Sequence, residues 1–166
     1  MKNILITGGA GYIGSHVAEN LIKKKKNIFI VDNLSTGFKK LVNKKARFYN
    51  INILDTKKLK KTIIKYKIDS VIHLAGSLII GLGEKNPNLY YKNNVLGTKS
   101  VLLACKETFV KNLIFSSTAA VYKDNQKIVN EKSIIKPKSV YGKTKIKAEK
   151  LIISNCKKLG INYAIL

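Results

Sequence analysis

Tyr141 and Lys145 stand four residues apart in Tyr141-Gly142-Lys143-Thr144-Lys145, the spacing that puts two side chains on one face of a helix. A free tyrosine ionises at about 10, too high for a base at neutral pH. An ammonium one turn away stabilises the phenolate and brings proton abstraction into range. Taken alone, the pair also arises by chance on a lysine-rich chain. Upstream, Phe115-Ser116-Ser117-Thr118-Ala119-Ala120-Val121-Tyr122 reads as a strand end followed by hydroxyls. Hydroxyls there either cap the strand or hydrogen-bond a reacting oxygen.

A second constellation lies at the N-terminus. Thr7-Gly8-Gly9-Ala10-Gly11-Tyr12-Ile13-Gly14 places Gly8, Gly11 and Gly14 at three-residue intervals between an apolar strand and a helical period. Side chains at the first two positions would block the turn and the approach of a pyrophosphate to backbone N–H groups. A small residue at the third lets the helix pack closely on the sheet. Asp32 ends the next apolar run, placed to accept hydrogen bonds from both ribose hydroxyls of an adenosine. Its charge would repel a 2′-phosphate, which favours NAD over NADP.

These residues need a scaffold, and the hydrophobic pattern supplies one. Strands are expected at Lys2–Thr7, Asn27–Asp32, Ala46–Ile51, Ser70–Leu74, Asn112–Ser117 and Asn162–Leu166, with helices at Tyr12–Lys24, Thr56–Lys65, Leu89–Thr108 and Val140–Lys158. Mostly apolar strands separated by crossovers argue for an α/β, doubly wound parallel sheet in the dinucleotide-binding order 3-2-1-4-5-6. Lys123–Lys138 reads as a polar loop beside the ligand edge. His73, at a strand end, reads as structural.

Composition narrows the function classes. With 166 residues, 45% of them hydrophobic, one globular domain is expected. The net charge of +23 comes from 31 lysines and the single Arg47 against 9 acids. That bias resembles A+T-rich codon drift rather than a nucleic-acid face, which recruits arginine and interleaved aromatics; no specific nucleic-acid partner is expected. No apolar run approaches the roughly 18 residues of a membrane span, and Met1-Lys2-Asn3-Ile4-Leu5-Ile6 lacks the pattern of a signal peptide. Cys105 and Cys156 have neither metal-site nor disulfide spacing, and no metal site is expected. A soluble cytoplasmic protein with buried thiols is the expectation.

Together, Thr7–Gly14, Asp32–Gly37, His73-Leu74-Ala75-Gly76, Tyr90–Val95, Ser116–Tyr122 and Tyr141–Lys145 resemble, in order and over the whole chain, the extended short-chain dehydrogenase/reductases of the NAD-dependent epimerase/dehydratase family. The likeness is closest to its UDP-glucose 4-epimerases. Members are about twice as long, so the resemblance covers their N-terminal NAD-binding half, residues 1–166 here, without the substrate domain.

The resemblance implies a redox-neutral interconversion of UDP-glucose and UDP-galactose by transient oxidation at C4, with NAD as a prosthetic group. By it Tyr141 is the catalytic base, Lys145 binds the nicotinamide ribose and tunes it, and Thr118 bonds the sugar 4-hydroxyl. Tyr12 and Ile13 would face the pyrophosphate through their backbone. Asp32, Asn33, Leu34, Ser35, Thr36 and Gly37 would hold the adenosine ribose, and Asn52 with Ile53 the adenine. Leu74, Ala75, Gly76 and Leu78 would line the cofactor's phosphate and ribose region, and Asn93 would anchor the nearby loop. Two positions depart from the pattern: Asn52 stands where many members have Asp, and Leu78 where some have Lys. Dehydratases of the family carry Asp-Glu after the Ser/Thr, where this chain has Ala119-Ala120. An epimerase for another nucleotide sugar, or an NAD-binding module without catalysis, are the alternatives. The family's pairing through two long helices implies a homodimer.

Overall fold

Along β1 (Asn3–Thr7), Ile4 and Ile6 go to one face and Leu5 to the other, all fully buried. That period-2 alternation decides the layers, because each face must be covered. The computed structural model describes residues 2–124 and 128–166. After β1 come α1 (Tyr12–Lys23), β2 (Asn27–Asp32), β3 (Arg47–Asn50), α2 (Thr56–Lys65) and β4 (Ser70–His73). They are followed by α3 (Ile80–Lys85), α4 (Pro87–Tyr90), α5 (Gly97–Cys105), β5 (Asn112–Phe115), α6 (Val140–Leu159) and β6 (Asn162–Ile165). The six strands form one parallel sheet in the order β3-β2-β1-β4-β5-β6, the order expected from the pattern.

On one face Leu5, Phe29, Val31, Val71, Leu113 and Phe115 pack with residues of α2, α5 and α6. On the other, Ile4, Ile6, Ile28, Ile30 and Ile72 pack with Ala18 of α1. Side-chain caps fix helix starts: Asp55 accepts from Lys58 N at 3.0 Å for α2, and Ser139 from Gly142 N at 3.0 Å for α6. Gly160, at φ +66°, ends α6.

The helix expected at Leu89–Thr108 is built differently. It begins at Pro87, passes through a π-helical stretch at Tyr91–Leu96 and ends at Cys105. Glu107 at φ 58° and the Thr108 hydroxyl, donating to Cys105 O at 2.6 Å, stop it. Helix α3 was not expected, since Gly81 and Gly83 break its periodicity; Tyr90 packs against Gly83 and its hydroxyl donates to Ile79 O. In the loop expected at 123–138, residues 125–127 lie outside the described residues. Its flanks meet where Tyr122 bridges Ile135 and Lys138 pairs with Asp124 at 2.9 Å.

His73 holds the ends of β1 and β4 to α5. Its Nδ1 lies 2.7 Å from Thr7 Oγ1 and its Nε2 3.0 Å from Thr98 Oγ1. Burial, with the positive charge of Lys145 behind it, lowers the imidazole to about 3. An unfolded histidine takes up a proton at about 6.5, so the unfolded chain gains what the folded chain refuses and stability falls as pH drops below that value. In urea unfolding at pH 7 and pH 5, the chain should lose about 2 kcal/mol more than His73→Gln between the two pH values.

Candidate active site at the carboxyl edge of the sheet

The turn after β1 has no room for side chains. A Cβ on Gly14 would sit 2.2 Å from Gly8 O, and one on Gly8 2.7 Å from Ala75 N. Gly8 also adopts φ +72°, where glycine is favoured. The first turn of α1 is thereby laid against the ends of β1 and β4, with Tyr12 and Ile13 exposed at its start.

Asp32 ties this turn down. Its Oδ2 accepts from Ala10 N at 3.0 Å and its Oδ1 from Leu34 N at 2.8 Å, with the residue 8% exposed. Leu34, at φ 59°, reverses the chain after β2, and Phe38 N donates to Ala10 O at 3.0 Å. Asn33 caps its own turn through Ser35 N at 3.2 Å, and Gly37 packs on Ala10. Thr36 is exposed on the same loop. Asn52 Oδ1 accepts from Leu54 N at 2.9 Å, so the acceptor oxygen expected to face adenine is engaged within its own turn. Ile53 points into the core, against Gly97.

The segment after β4 is clasped by two neighbouring asparagines. Asn94 Oδ1 accepts from Ser77 N at 2.7 Å, and its Nδ2 donates to Ser77 O and to Thr144 Oγ1, both at 3.0 Å. Asn93 Nδ2 donates to Ser77 Oγ at 2.9 Å. Gly76 leaves space for the Asn94 oxygen, and Leu74 and Ala75 hang from Thr7 through backbone N–H groups. Leu78 is 67% exposed. Asn94 and Thr144 were not singled out from the sequence; the Asn-Asn pair was visible, but not which member is buried.

Tyr141, Lys145 and Thr118 converge at this edge. Burial raises the Tyr141 phenol above its ordinary range, while the adjacent Thr118 hydroxyl favours the phenolate. Thr118 also caps the following turn, accepting from Ala120 N at 3.2 Å, so the capping reading of these hydroxyls holds alongside any chemical one. Lys145 donates to Ser116 O and lies 4.0 Å from the centroid of the Phe115 ring, rather than against the phenol. Burial lowers it to about 8, opposed by Glu149. The start of α6 is held from α3, where Glu84 accepts from Val140 N at 2.7 Å. Cys105 and Cys156 are free and buried. Among the described residues, no group of three or more His, Cys, Asp or Glu could hold a metal ion, and no helix is long and apolar enough to cross a membrane.

A model of the NAD dependent epimerase/dehydratase family matches residues 4–166. The UDP-glucose 4-epimerase of Lactobacillus helveticus is 40% identical over 164 residues, 98% of this chain and 50% of that protein. The crystal structure of UDP-glucose 4-epimerase from Brucella ovis in complex with NAD superposes with a TM-score of 0.95 at 38% identity, covering 99% of this chain and 51% of that one. That of the Thermotoga maritima enzyme with UDP-glucose superposes with a TM-score of 0.94 at 34% identity, covering 98% and 54%. The chain thus spans about half the length of the relatives it matches.

Two outcomes test the geometry. Gly14→Ala should destabilise the fold by about 2 kcal/mol or more in chemical unfolding, since its Cβ meets backbone. Lys145 falls from its ordinary 10.5 to about 8 on folding. The folded chain therefore releases a proton that the unfolded chain keeps between those values, and stability rises with pH through that window. At pH 7 the buried ammonium costs about 3 kcal/mol, so Lys145→Met should raise Tm there, with the gain shrinking towards pH 10.

Proposed function

Because the chain belongs to the NAD dependent epimerase/dehydratase family, we propose that it is the NAD-binding portion of a nucleotide-sugar 4-epimerase interconverting UDP-glucose and UDP-galactose. One observation carries this reading: the glycine turn with Asp32 and the group Thr118, Tyr141 and Lys145 open onto the same carboxyl edge of one sheet. The residues fit a dinucleotide. Gly8 and Gly14 let the turn close against backbone where a Cβ would clash, which brings the start of α1 to the edge where a pyrophosphate would lie, and Asp32 meets a ribose while repelling a 2′-phosphate, so NAD is the cofactor. Tyr12 and Ile13 present the helix start to the pyrophosphate. Asn33 to Gly37 flank the adenosine ribose, and the backbone at Asn52 and Ile53, whose side chains are otherwise engaged, flanks the adenine. Leu74 to Leu78 with Asn93 line the remainder.

When bound, NAD⁺ supplies reversible two-electron oxidation at the sugar's C4. The chain's own residues handle the proton. Tyr141 takes it from the 4-hydroxyl and later returns it to the same oxygen, which Thr118 holds by a hydrogen bond. Burial alone makes the phenol a poor base, so its basicity depends on positive charge brought beside it. Lys145, four residues along the helix, is the cation on this face that meets the need. Ala119-Ala120 offers no acid or base for eliminating water, which favours epimerisation over dehydration.

The proposed assembly is a homodimer through α5 and α6, which pack side by side, with Leu103 of α5 and Leu96 just before it exposed. The proposed compartment is the cytoplasm, where the two free thiols stay reduced. Light scattering should give twice the chain mass; a monomer alone would exclude the dimer.

Conversion of UDP-galactose to UDP-glucose by the purified chain with NAD⁺ would select the epimerase reading, and Tyr141→Phe should cut that turnover by about 10²- to 10⁴-fold. Half-length coverage of the relatives keeps a second reading in play, an NAD-binding module without catalysis of its own. A folded chain that binds NAD⁺ yet gives no turnover would select it.

A further inference from the structure

The face of α6 that carries Tyr141 and Lys145 continues one turn further to Glu149, which the proposed reaction does not use. The Glu149 carboxylate accepts a hydrogen bond from the Ser117 hydroxyl, joining α6 to the end of β5. Ser117 sits between two residues of the site: Ser116, whose carbonyl receives the Lys145 ammonium, and Thr118, whose hydroxyl stands beside the Tyr141 phenol. Lys145 is only 9% exposed, and a buried ammonium needs a counter-charge or a strong acceptor set. Acidic residues are scarce, 9 against 32 basic ones, and Glu149 is the one whose charge acts on Lys145.

We infer that Glu149 is a positioning residue for the Tyr141–Lys145 pair: it clamps the end of β5 through Ser117 and supplies the counter-charge of the buried ammonium. The inference rests on the catalytic reading of that pair. A simple packing bond would need neither the charge nor the location. The carboxylate instead serves both halves of the site, fixing the carbonyl and hydroxyl that flank it and holding Lys145 cationic against burial.

The other groups around Lys145 do not compete for this role near neutral pH. His73 faces it from β4 but is held neutral, lowered to about 3 by burial. Tyr141 shares its helix and is protonated, with Tyr90 of α4 behind it. Glu84 of α3 is engaged at the first N–H of α6, and Cys105 of α5 faces Cys156 further along the helix. The β5 end contributes the Ser116 carbonyl and the Phe115 ring.

The test is an NMR titration of the Lys145 ¹⁵Nζ resonance in the full chain, assigned by its loss in Lys145→Met. In Glu149→Gln the midpoint should fall by at least about 0.5 pH unit, because a carboxylate that favoured the ammonium is gone. Ser117→Ala should keep the midpoint, since the charge remains, yet shift the amide resonances of Ser116 and Thr118. Glu149→Gln should shift those amides as well. An unchanged midpoint in Glu149→Gln, or unmoved amides in both variants, would overturn the inference. Neither cofactor nor sugar enters the measurement, so a failure of the epimerase reading leaves this outcome separately readable.

Discussion

The structure of the site depends on the missing side chains at Gly8 and Gly14. Helix α1 begins hard against the end of β1 only because nothing stands between Gly14 and the Gly8 carbonyl. That contact brings the first N–H groups of α1 to the edge where β4 and β5 also end. The same turn is then locked by Asp32, whose two oxygens take Ala10 and Leu34 N–H groups. Charge-assisted bonds of this kind are worth about 1.5–3 kcal/mol each. The carboxylate is therefore structural before any ligand arrives, and its remaining acceptor capacity is already aimed and paid for.

The other half of the edge is organised by hydrogen bonds between elements that the chain separates widely. His73 joins Thr7 to Thr98, Asn94 joins Ser77 to Thr144, and Thr144 donates to Tyr141 O at 2.7 Å. Through these contacts the segment after β4 is tied to the start of α6. The glycine turn and the Thr118, Tyr141 and Lys145 group thus share one hydrogen-bonded edge, the arrangement that the proposed reaction at a bound cofactor requires. The high positive charge is carried mainly by exposed lysines, whereas the site uses a single buried one, Lys145.

Much of this was legible in the residues. Alternation in β1 and apolar runs in the other strands identify the sheet, and glycine spacing followed by Asp32 marks the tight turn that Asp32 ties down, because sterics and charge act there at short range. The π-helical stretch and α3 were not legible: they depend on tertiary contacts, of Tyr90 with Ile79 and Gly83, of Glu84 with Val140, and of Asn94 with Ser77 and Thr144. Nor does helical spacing say that Lys145 turns to Ser116 O rather than to the phenol, since that choice depends on where β5 ends. The engagement of Asn52 with Leu54 is likewise a local turn competing with a distant ligand contact, and side-chain type alone does not decide between them.

On the proposed reading this edge holds NAD through the glycine turn and Asp32. Isothermal calorimetry of NAD⁺ against the purified chain tests it most directly, with NADP⁺, Asp32→Ala and Tyr141→Phe measured alongside. NAD⁺ should bind and NADP⁺ far more weakly, Asp32→Ala should lose affinity, and Tyr141→Phe should largely keep it. A folded chain that binds neither dinucleotide, or an Asp32→Ala variant that folds and binds NAD⁺ as tightly as the parent, would contradict it.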